Sequence, residues 1–129
     1  MNVVSTVARI LLGAIFVVFG LNGFLLFFPP PPTLPPVMTA FSTAMFASHY
    51  VWMTSAVQVI CGVLLLANRY VLLVTVVLAA VLVNILTLHI TMYPVGLPPA
   101  ILATILWFLM AWPLRSRFAW LFASKLPPA

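Results

Sequence analysis

Four long stretches of the chain are almost free of polar residues, and each is closed by a short segment that cannot continue it. The first, from about residue 8 to 28, reads ARILLGAIFVVFGLNGFLLFF and stops at PPPPTLPP, residues 29 to 36, which is not expected to be helical because proline lacks the N–H a helix needs. The second runs from about 50 to 67 and stops at Asn68 and Arg69. The third runs from about 71 to 93 and stops at PVGLPP; the fourth, about 98 to 113, opens on Pro98 and Pro99, which suit a first helical turn. Each approaches the roughly 20 apolar residues that cross the hydrocarbon of a bilayer. Two weaker segments are amphipathic at helical spacing: 37–48 puts Val37, Phe41, Ala44 and Met45 on one face, and 117–126 does the same with Phe118, Leu121, Phe122 and Leu126. Both read as short interfacial helices. The pattern predicts a single all-α integral membrane domain over 1–129, a four-transmembrane-helix bundle with short interfacial helices. The first stretch carries one arginine at its start and no small-residue cleavage site at its end, so it reads as a retained span rather than a signal peptide.

Within the spans, small and polar residues recur at helical spacing. The stripe is Gly13, Phe16, Gly20 and Gly23 in the first span and Thr54, Ser55, Gln58, Cys61 and Gly62 in the second. In the third it is Ala80, Asn84, Thr87 and Thr91, and in the fourth Ala100, Ala103, Thr104, Trp107 and Ala111. Small residues let backbones approach closely, and an amide or hydroxyl in hydrocarbon is favourable only when it finds a partner. The stripes are therefore expected to face neighbouring helices, with Gly13, Gly20, Gly23, Gly62, Thr87, Thr91 and Ala103 as packing positions.

Composition sharpens this. Hydrophobic residues make up 66% of the chain and charged residues 4%, with five Lys or Arg and no Asp or Glu. No soluble domain surface can be built from that mixture. With four spans, Arg9, Arg69, Arg115, Arg117 and Lys125 all fall on one side. This is the positive-inside distribution, so both termini are expected to be cytoplasmic and both proline-rich loops outside. Tyr50, Trp52 and Tyr93 near the outer ends, with Tyr70, Trp112 and Trp120 near the inner ones, suit aromatic belts. The cations are scattered rather than gathered into an aromatic-interleaved stripe, which points away from nucleic acid. Cys61 is the only cysteine, so neither an internal disulfide nor a cysteine zinc site can form. Without carboxylates there is no Ser-His-Asp triad, carboxylate acid or base, Mg or Ca site, or carboxylate proton relay. The chain is not expected to hold catalytic or metal-binding residues, or to act as an enzyme on its own.

The candidate chemistry rests on uncharged polar groups. Asn22, Gln58, Asn84 and His89 would all lie from mid-membrane to the outer half, and could form one buried network or surround the carbonyl of a quinone head group. At about 100° per residue Asn84, Thr87 and Thr91 share a face, while His89 lies about 140° from Asn84 and Asn22 lies opposite the glycines of its own helix. For Asn84, Thr87 and Thr91 interhelical hydrogen bonding is the favoured reading over a ligand site, and threonine can also bond its own helix backbone. His49 and His89 are the only imidazoles; either could cap a helix end or bond inside the bundle, and axial ligation of a haem or chlorophyll-type ring is the alternative use.

The order RILLGAIFVVFGLNGF, a proline-rich loop, QVICGVLLLANRYVLLVTVVLAAVLVNILTLHI and a short last span closing in RSRF resembles the DoxX family of small four-helix membrane proteins, from about residue 8 to 122. In that likeness Gly20, Leu21 and Asn22 match the end of the first span, Gly62 the second, Arg69 the turn, and Asn84 and His89 the third. The resemblance implies a bacterial plasma-membrane protein, some members being associated with quinone-linked oxidoreductase complexes. Many members carry a basic residue where this chain has Gly23, an acidic one at Gln58 and another near Trp107. These departures remove titrating groups and favour a scaffold over a catalyst. The expected role is a non-catalytic accessory subunit of a larger redox or energy-converting complex, in contact with membrane lipids and other membrane subunits. A quinone-binding subunit is the alternative, and a haem- or pigment-ligating one a further alternative. Quinone or a bound lipid is the expected non-protein companion.

Overall fold

The computed structural model describes residues 1–125 and 128, and these contain helices and turns but no strand. The helices are α1 (Val3–Leu25), α2 (Pro36–Ala47), α3 (Tyr50–Leu66), α4 (Val71–Met92), α5 (Leu97–Ala111) and the single turn α6 (Arg115–Phe118). By length and hydropathy α1, α4 and the segment Pro94–Phe122 can each cross a membrane, and α3 makes a fourth span if it is counted with α2, from which it is bent by 84°. This is a helical membrane protein.

Helix ends differ from the sequence expectation where a side chain captures the backbone. α1 starts at Val3 because Asn2 Oδ1 accepts the Ser5 N–H at 2.8 Å, a standard N-cap. It stops at Leu25 because Leu26 turns left-handed, at φ 51°. Pro36, expected to stay outside a helix, instead opens α2, where a first-turn proline sacrifices no hydrogen bond. Over 117–126 the chain continues from α6 into a 3-10 turn, Ala119–Phe122. Leu126 lies outside the described residues.

α1 is the hub: it packs chiefly against α3 and next against α5, while α4 packs on α5 and more loosely on α3. The α1–α3 pair is antiparallel, with Gly13 meeting Gly62, Gly20 meeting Gln58 and Val59, and Gly23 meeting Ser55. The approach is backbone to backbone, since a Cβ at Gly62 would lie 2.7 Å from the Gly13 carbonyl oxygen. The core is built around Leu12, Leu65, Leu78 and Met110, all fully buried. Two long-range bonds tie α5 into it: the Ser5 hydroxyl donates to the Met110 carbonyl at 3.1 Å, and Trp107 Nε1 donates to the Thr75 carbonyl at 2.9 Å.

On α4 the polar stripe is turned the opposite way from expectation. Val74, Thr75, Leu78 and Leu82 form the buried face, whereas Ala80, Asn84, Thr87 and Thr91 are exposed. Thr87 and Thr91 are thus not packed inside this bundle. Their hydroxyls donate to the Val83 and Thr87 carbonyls of their own helix at 2.8 and 2.7 Å. Back-bonding satisfies a hydroxyl without a neighbour, so nothing forces threonine inward.

Candidate functional site

Between the four long helices lies a cavity of about 240 Å³. Ile15, Phe16 and Phe19 of α1, Ile85 of α4, and Pro99, Ala100 and Ala103 of α5 make its apolar wall, and Gln58 of α3 and His89 of α4 are its two polar side chains. The small residues of α5 open the space, because Ala100 and Ala103 withdraw the wall where a larger side chain would fill it. Pro99 sits in the first turn of α5, where its missing N–H is harmless.

His89 is held by its own helix end. Its Nδ1 lies 3.2 Å from the Tyr93 carbonyl oxygen, and Gly96 approaches so closely that an added Cβ would fall 2.4 Å from the ring. A carbonyl can only accept, so in the neutral imidazole Nδ1 carries the hydrogen and Nε2 is left as an acceptor. The Gln58 amide supplies both a donor and an acceptor. The cavity therefore offers an apolar slot with one imidazole acceptor and one amide donor. An apolar cavity of about 150 Å³ accommodates benzene, so this one suits a single substituted ring rather than a porphyrin macrocycle.

No family model, curated protein or solved structure matches the chain. What the cavity can do thus rests on its geometry.

Of the four candidate ligand residues, the structure brings together only Gln58 and His89. Asn22 instead terminates α1: its backbone carbonyl accepts the Leu26 N–H and its Oδ1 accepts the Phe28 N–H, both at 2.9 Å. Asn84 is on the exposed side of α4, remote in angle from the His89 face. His49 is exposed at the start of α3 in a left-handed conformation, its ring 4.4 Å edge-to-face from Trp52. Ala103 serves both core and cavity wall.

The cations also differ from expectation at one position. Arg69, Arg115, Arg117 and Lys125 are exposed, and the Arg115 guanidinium stacks 5.0 Å from the Trp112 ring. Arg9 is buried instead. It is 7% exposed, and its Nη1 donates to the Leu65 carbonyl in the last turn of α3. A cation there suits the negative end of the helix dipole, beside a carbonyl that also accepts the Asn68 N–H at 3.1 Å. Sequence reasoning missed this, and missed the burial of Ser5 and Thr75. The available signal was the spacing Ser5–Ala8–Arg9–Leu12–Phe16, a helical face running through the polar start of α1.

Proposed function

We propose that the chain is a DoxX-like four-span protein of the bacterial plasma membrane, with both termini cytoplasmic, and that it serves as a non-catalytic accessory subunit of a larger redox or energy-converting complex. The observation that carries this reading is Asn84. Its neighbours Thr87 and Thr91 satisfy themselves, but the exposed Asn84 amide makes no hydrogen bond among the described residues. An unpaired amide in hydrocarbon costs several kcal/mol, about 4–8 on an alkane scale, and a partner helix removes that cost. Affinity capture from native membranes in mild detergent is expected to bring down other membrane subunits in fixed ratio. Asn84→Leu should lose them while the thermal transition of the bundle stays in place. Capture of the wild-type chain alone would end this reading.

The cavity favours a second reading, a quinone or quinol site. Gln58 would donate to a ring carbonyl, His89 Nε2 would accept from a ring hydroxyl, and the apolar wall would hold the ring. Extracted protein should then retain quinone. Gln58→Leu should reduce the retained amount about tenfold, the equivalent of a buried hydrogen bond lost with the ring carbonyl left unpaired, without unfolding the bundle. Equal quinone content in the two proteins would exclude the site.

A further inference from the structure

The end of the bundle opposite the quinone-sized cavity holds a larger cleft, of about 750 Å³, where the start of α1, the α3–α4 turn and the segment after α5 meet. Arg9 and Arg117 line it together with Asn68, Tyr70 and the aliphatic Leu72 and Leu73. Three separate features of this cleft call for an anion. Arg9 is 7% exposed and its Nε has no hydrogen-bond partner among the described residues, although Nη1 is engaged by the Leu65 carbonyl. The chain has no Asp or Glu side chain, so neither arginine can be neutralised by a carboxylate side chain of its own protein. The cleft also includes the first turn of α4, which follows a left-handed Tyr70 and has no side-chain cap. The positive end of a 22-residue helix therefore borders the same cleft as the two arginines.

We propose that this cleft is a binding site for the phosphate of an anionic phospholipid. The phosphate diester fits the donor set: a guanidinium takes two of its oxygens in parallel, and the Tyr70 hydroxyl, the Asn68 amide and the α4 N–H groups can donate to the rest. The membrane end of the cleft selects a lipid over a free ion. Leu72 is exposed and Leu73 is 60% exposed, and they continue the wall along α4 as a track for an acyl chain. Basic pockets between membrane helices recognise headgroups in this way. Arg9, costly as a buried cation with no carboxylate side chain in its own protein, gains its counter-ion when the lipid is bound. The site does not depend on the subunit or quinone readings.

The test is lipid titration of the delipidated full chain in detergent, followed by native mass spectrometry. The probes are phosphatidylglycerol, phosphatidylcholine and inorganic phosphate. Phosphatidylglycerol is expected to bind at least tenfold more tightly than phosphatidylcholine, which has the same phosphate but a compensating cation. Arg117→Gln and Arg9→Gln should each lower that affinity about tenfold. Arg115→Gln removes the same charge outside the cleft and should leave it unchanged. Arg117 is exposed, so its variant reports on the site even if Arg9→Gln fails to fold. Equal binding of the two lipids, or equal losses for Arg115→Gln and Arg117→Gln, would overturn the site. Full displacement of the lipid by inorganic phosphate at matched concentration would overturn the lipid as its occupant.

Discussion

Gly62→Leu is expected to destabilise the bundle by about 3 kcal/mol or more, at the upper end of what overpacking costs. The size of the effect follows from what the new side chain would meet. A Cβ at Gly62 would lie 2.7 Å from the Gly13 carbonyl oxygen and 2.8 Å from the Val17 backbone nitrogen. Both are main-chain atoms of a regular helix, so neither can rotate aside, and relief requires α1 and α3 to separate. That pair has the most extensive contact in the fold. No hydrophobic driving force compensates for separation in lipid, because the tails are as apolar as the side chains and association rests on close packing. The measurement is a denaturant titration in detergent of Gly62→Leu beside Ala14→Leu, which adds the same side chain to the exposed face of α1. Coincident transitions for the two variants would show that the glycine crossing is not what holds α1 to α3.

Gly96→Ala should behave in the opposite manner, leaving stability within about 1 kcal/mol of the wild type while lowering quinone retention about tenfold. The backbone at Gly96 is ordinary, with φ −83° and ψ 1°, so alanine introduces no conformational strain. The obstacle is His89, whose Cε1 and Nδ1 would each lie 2.4 Å from the new Cβ. Those atoms end a side chain that can swing, so the clash is relieved cheaply, but the ring must leave the Tyr93 carbonyl. Once that bond is lost, the hydrogen is no longer held on Nδ1 and Nε2 is no longer presented as an acceptor. Unchanged quinone retention in Gly96→Ala would mean that the His89 orientation does not govern binding, which removes the imidazole from the proposed site.

The two glycines differ in how far the sequence announces them. Gly13, Gly20 and Gly62 belong to stripes at helical spacing, and the stripe pattern points to close helix approach before any fold is known. Gly96 sits in a proline-rich connection, where glycine has many uses. Only the position of His89, one turn back on α4, gives it a specific one. Polar residues divide in the same way. Gln58 was legible as a half-buried polar group in an apolar helix, but its pairing with His89 rather than with Asn22 or Asn84 was not. The competing local bonds, Asn22 to the end of α1 and the threonine hydroxyls to their own helix, are as available in the sequence pattern as interhelical ones.

The sequence by itself determined that the chain is helical and apolar enough for a membrane, and where its helices break. Those properties follow from residue type over short range: proline stops the backbone hydrogen-bonding pattern, and a chain with 4% charged residues cannot present a solvated surface. Only the tertiary structure decided which face of each helix turns inward. In water the hydrophobic effect would have made that choice readable from polarity, but in lipid both faces are apolar and shape decides. The aliphatic face of α4 therefore went into the core and its Asn84 stripe went out, while Arg9, the most polar residue of α1, was buried because the last turn of α3 offered it a carbonyl.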